Sequence, residues 1–116
     1  MSELGEKQEK FMWLLPRLID FWHARGYKTR GKDLWRNPVV FGEIGHNKAG
    51  AYGHPSSCHK IGLAIDLALF KDGEYLQTTE DHRPGGEYWE SLDPDCVWGG
   101  RFKDGNHYSI KYRGIR

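Results

Sequence analysis

Residues 61–70 constrain this chain more than any other stretch. Leu63, Ile65, Leu67 and Leu69 point one way and Ala64, Asp66 and Ala68 the other, which is the two-residue period of a β-strand. Asp66 interrupts an otherwise apolar run, Leu63-Ala-Ile-Asp-Leu-Ala-Leu. A carboxylate in that setting is costly to bury unless a cation or a hydrogen-bonding partner answers it. On the residues alone that partner is either a metal ion or an arginine, with Arg36 and Arg101 as candidates, and the two readings weigh about equally.

The remaining segments arrange themselves around this strand. Phe11, Leu14, Leu15, Leu18, Ile19 and Trp22 recur at helical spacing, so residues 6–25 read as an amphipathic helix. Pro16 is expected to kink it or to start its second half, and Gly26 to stop it. Tyr27-Lys-Thr is a short extended candidate. Residues 41–57, rich in Gly, His, Asn and Ala, read as loop. Lys71-Asp-Gly-Glu74 is an Asp-Gly turn that returns Tyr75-Leu-Gln77 as a partner strand. Residues 87–92 read as a short helix closed by Asp93-Pro94. Trp98-Gly-Gly-Arg-Phe and residues 106–112 read as two more strands around an Asp104-Gly105 turn. The expected fold is a single α+β domain over residues 1–116. A small antiparallel sheet packs with an N-terminal helix and one or two short helices.

Composition narrows the function. The 116 residues are 38% hydrophobic and 28% charged, ordinary for a folded domain, and the formal net charge of +1 gives no electrostatic case for nucleic acid. No basic stripe interleaved with aromatics is apparent. The longest apolar run, around Phe11 to Leu15, is too short to span a bilayer, and the acidic start Met1-Ser-Glu-Leu-Gly-Glu is unlike a signal peptide. Synthesis in the cytoplasm, no stable membrane association and a monomer are expected. Cys58 and Cys96 lack a Cys-x-x-Cys pattern, so reduced thiols are the default and thiolate zinc sites are not expected.

Candidate chemistry lies in Ser57-x-His59-x-x-Gly62-x-Ala64-x-Asp66 and in Asp104-x-x-His107. A catalytic zinc site takes three His, Asp or Glu ligands, leaves a position open for water, and keeps a carboxylate nearby to accept the water's proton. His59 precedes the strand, Asp66 shares a strand face with small Ala64, and the Asp-Gly-Asn turn can aim Asp104 and His107 into one space. Ser57 is a candidate to hydrogen-bond a ligand or the local backbone. His23 reads as solvated surface, and His46, His54 and His82 fall in loops without an assigned role.

The two motifs together resemble the signature of the D-alanyl-D-alanine carboxypeptidase and L-alanyl-D-glutamate endopeptidase family, and are most similar to its bacteriophage endolysin branch. The likeness runs from residue 57 to 110 and takes in Glu87-Tyr-Trp-Glu-Ser-Leu and Trp98-Gly-Gly-Arg-Phe. It implies Zn2+ held by His59, Asp66 and His107, with Asp104 as general base, at a site on the sheet edge and loops. The carboxypeptidase branch usually carries Glu at the base position, so Asp104 leans toward the endopeptidases. The family's oxyanion-steadying arginine has its best counterpart in Trp35-Arg36-Asn37, which lacks the usual hydroxyl after Arg36, and a structural ion pair competes for that residue.

The resemblance implies hydrolysis of the L-alanyl-D-glutamate bond in the peptidoglycan stem peptide, outside the membrane, after release through a phage pore. Trp98, Tyr108 and Trp89 are candidate groove walls, with core packing as the alternative. Gly99-Gly100 fits either close substrate approach or a plain turn. The rival functions are a D-alanyl-D-alanine carboxypeptidase or dipeptidase of the same family, a metal-dependent nuclease, and a non-catalytic wall-binding module.

Overall fold

The computed structural model describes residues 3–32 and 61–113. Helix α1 (Glu3–Ala24) buries Phe11, Leu14, Leu15, Leu18 and Trp22, and carries Glu3 and Glu6 in its first turn, where acids suit the helix dipole. The helix runs through Pro16, which lies on its exposed side, where a carbonyl deprived of its helical donor is open to water. Gly26 ends it at φ +86°, a conformation that favours glycine.

Strand β1 (Lys28–Lys32) follows at once, and β2 (Ala64–Lys71) runs antiparallel to it, with Lys28 opposite Phe70 and Lys32 opposite Asp66. Asp72 and Gly73, both at positive φ, turn the chain into β3 (Glu74–Leu76), as the Asp-Gly signal predicts. Helix α2 (Thr79–Leu92) comes next, then β4 (Cys96–Trp98), a 3-10 turn (Gly99–Phe102) and β5 (His107–Ile110).

The described strands form one antiparallel sheet in the order β1-β2-β5-β4, with β3 also pairing β2. The fold is therefore α+β, as expected. Two segments differ from the sequence reading. Helix α2 is longer than 87–92, beginning at Thr79 behind a Thr78–Asp81 capping box and continuing through Pro84-Gly85-Gly86. Trp98-Gly-Gly-Arg-Phe is not one strand: β4 ends at Trp98 and the glycines wind into the 3-10 turn.

Register partners share a face, so Ile65, Tyr108 and Trp98 line one side of the sheet and Asp66, His107 and Lys32 the other. Both helices pack on the first side. Tyr108 meets His82 and Trp89 of α2, Phe11 of α1 meets Trp89 edge-on, and Trp22 lies edge-on to His82. Trp22, Trp89, Trp98, Tyr108 and Phe11 are the largest fully buried side chains. Asp66 and His107 thus stand on a sheet whose other face is anchored by a large aromatic core. No helix of the described residues is long and apolar enough to cross a membrane.

Candidate metal centre

Asp66 and His107 are direct partners across β2 and β5, with Asp66 Oδ1 3.5 Å from His107 Nδ1. Their side chains are 18% and 5% exposed. Asp104 joins them from the turn before β5, and one ligand atom from each of the three lies within 4.8 Å of the others. The loop residue is as expected, but the two strand residues come from interior strands rather than from an edge strand.

The turn that delivers Asp104 is held at several points. The Asp104 amide donates to the Gly99 carbonyl at 2.8 Å, and the His107 amide to the Asp104 carbonyl at 3.1 Å. Trp98 Nε1 donates to the Gly105 carbonyl at 2.7 Å, and the Leu67 amide to the Asn106 carbonyl at 2.9 Å. Gly99 is required by closure of this turn, because a Cβ there would lie 2.1 Å from the Asp104 carbonyl oxygen and 2.7 Å from His107 Cβ. The space beside Gly99 is filled by the chain itself, which decides for the turn over a substrate approach.

Two carboxylates and one imidazole form a donor set suited to zinc and to other divalent ions. Bonds of about 2.1 Å place tetrahedral ligands ~3.4 Å apart, so the present spread of up to 4.8 Å needs only modest closure. Asp104 is exposed, whereas His107 is buried. The rival reading of Asp66 as the partner of Arg101 fails, since that guanidinium pairs with Glu90 at 2.8 Å. His59, Ser57, Arg36 and Cys58 lie outside the described residues.

Trp98 and Tyr108, and Trp89 with them, are not groove walls. All three are fully buried on the helix side of the sheet, opposite Asp66 and His107. Their role is support: Trp98 fixes the turn through Gly105, and Trp89 Nε1 donates to the Ser109 carbonyl at 3.1 Å.

His82, which the sequence left in a loop, sits buried on α2 with Nδ1 2.7 Å from the Tyr108 hydroxyl. Burial lowers its pKa to about 4, against smaller opposing effects of Asp81 and Asp66, and burial raises that of Tyr108. The phenol therefore keeps its proton and shares a hydrogen bond with a neutral imidazole, whose tautomer sets which of the two donates. Cys96 is a free, buried thiol whose pKa burial pushes up to about 12, so it stays protonated and inert.

Set against models of known protein families and against curated proteins, the chain matches none.

Proposed function

We propose that the chain is a zinc-dependent peptidoglycan hydrolase that cleaves the L-alanyl-D-glutamate bond of the stem peptide. The observation that carries this reading is the meeting of Asp66, Asp104 and His107. These are three of the four residues to which the family resemblance gives the metal and the proton transfer, and they are drawn from segments some forty residues apart in the chain. Asp66 and His107 would hold the ion, with His59 completing the set by resemblance. When bound, zinc lowers the pKa of a coordinated water toward ~7 and polarises a carbonyl beside it.

Asp104 supplies the acid-base step. Its carboxylate accepts the proton of the attacking water, and the same proton passes to the leaving amine as the C–N bond breaks. An exposed carboxylate on a tightly held turn suits that part better than a buried one, because it reaches both substrate and solvent. The resemblance gives Arg36 the oxyanion.

Asp104→Asn is the discriminating variant. We expect hydrolysis of purified peptidoglycan to fall by ~100-fold to 10,000-fold while one zinc per chain is retained. Loss of the zinc would instead make Asp104 a ligand. Hydrolysis that survives the substitution, or that ignores a chelator, would overturn the mechanism. Mass spectrometry of the digest reads the bond: new N-terminal D-glutamate marks the endopeptidase, and released D-alanine the carboxypeptidase.

A further inference from the structure

Lys28, Arg30 and Lys32 alternate along β1 and are all exposed. Their register partners are Phe70, Ala68 and Asp66, so the three cations stand on the sheet face that carries the metal-ligating side chains. At two residues per ~6.6 Å they form a row ~13 Å long, with Lys32 beside Asp66 and Lys28 at the far end. A cavity of about 490 Å³ opens at that end, lined by Lys28, Arg30, Phe70 and Asp72 among others.

The middle cation is preorganised. The Arg30 guanidinium lies 4.2 Å over the Phe70 ring, and Phe70 stacks on Tyr75 at 5.0 Å and 17°. A guanidinium held over a ring still has N–H groups to offer a planar anion and loses less freedom on binding it than a free side chain would. A spread of single cations with an acid, Asp72, at the cavity suits discrete carboxylates. The chain's formal net charge of only +1 disfavours a continuous polyphosphate.

We infer that the Lys28–Arg30–Lys32 row and the adjoining cavity bind carboxylate groups of a peptide whose scissile bond lies at the Asp66–Asp104–His107 cluster. This rests on the peptidase reading of that cluster and adds to it the residues that select an acidic peptide. A row of ~13 Å spans about four extended residues, so the carboxylates recognised lie within four residues of the cut.

The probe is a fluorescein-labelled synthetic peptide beginning L-alanyl-D-glutamyl with free carboxylates, compared with its fully amidated counterpart. Anisotropy is read on the full chain carrying Asp104→Asn, so that the probe survives. We expect the free acid to bind at least tenfold tighter than the amide, and more weakly as salt rises. Arg30→Gln should weaken the acid by roughly tenfold and leave the amide unchanged, whereas Arg17→Gln on the outer side of α1 should change neither. In the otherwise wild-type chain Arg30→Gln should raise KM with little change in kcat. Circular dichroism guards against misfolding, which is not expected of an exposed side chain.

Equal affinity for acid and amide, or indifference to Arg30→Gln, overturns the inference. So does a single-stranded oligonucleotide that binds tighter than the peptide. Basic side chains on an edge strand also discourage edge-to-edge pairing. That role alone predicts self-association of the Lys28, Arg30 and Lys32 triple glutamine variant with peptide affinity intact, which again overturns it. If the wild-type chain cleaves nothing yet binds the acid through Arg30, the peptidase reading fails and with it the scissile-bond part of the inference, while carboxylate binding by the row stands.

Discussion

His82 places a base in the core where its charged form has no room. Its pKa in the fold is about 4 against an ordinary value of 6.5, chiefly through burial. Above pH 6.5 the imidazole is neutral in both folded and unfolded chains and stability does not depend on it. Between pH 6.5 and about 4 the unfolded chain takes up a proton that the fold refuses, so stability falls as pH falls. Below about 4 the folded form protonates too and the loss levels off, at a total on the order of 3 kcal/mol. Urea midpoints of the metal-free chain between pH 8 and pH 4 measure this decline, and His82→Gln, which can still hydrogen-bond Tyr108, should flatten it. An acid limb equally steep in the variant would show that other groups set it. Nothing in the sequence marked His82, because its burial depends on Tyr108, twenty-six residues away, and on Trp22 from another helix.

Among the elements, α2 shows most clearly where local sequence and fold part. Pro84-Gly85-Gly86 is a breaker by propensity, and the helix was legible only from Glu87 onward. The glycines are there for packing. A Cβ on Gly86 would lie 2.0 Å from Trp98 Cδ2, and one on Gly85 2.2 Å from the Trp22 ring. Glycine-to-alanine in an open helix gains about 1 kcal/mol. Here overpacking outweighs that gain, and Gly86→Ala should destabilise by ~2 kcal/mol. The melting temperature by calorimetry should then drop by roughly 5–15 °C, and an unchanged or raised value would mean that Trp98 yields. Strand β2 and its hairpin to β3 were legible for the opposite reason. Alternation and an Asp-Gly pair are local signals, and here the fold agrees with them. The shared face of Lys28, Arg30 and Lys32 with Asp66 was not legible, since it follows from which strand β1 pairs with and in what register.

Across the whole molecule, the candidate centre joins parts that the chain keeps apart. Asp66 comes from β2, His107 from β5 and Asp104 from the turn that follows the 3-10 segment, while the aromatic core anchors the other face of the same sheet. The resemblance implied this convergence, whereas the spacing alone, with Asp66 on a strand face and His107 two residues past the Asp104-Gly105 turn, was only a modest signal of it. The burial of Trp98 and Tyr108 was not readable, because an aromatic beside a ligand is equally consistent with a groove and with a core. An ion held by Asp66 and His107 binds the fold and not the unfolded chain, and so stabilises by RT ln(1 + [L]/Kd), about 4 kcal/mol at a thousandfold excess over Kd. Zinc at that excess should raise the melting temperature by on the order of 10 °C or more, and a chelator should reverse it. Magnesium at equal concentration should do little, since it prefers six oxygen ligands and gives up its water reluctantly. Asp66→Asn should abolish most of the zinc shift, because one anionic donor and its pairing with His107 are lost together. Calorimetry of the wild-type chain and of Asp66→Asn, each with zinc, magnesium and chelator, reads all of this. A melting temperature indifferent to zinc would remove the metal from the centre and leave Asp66 and His107 as a polar contact between two strands.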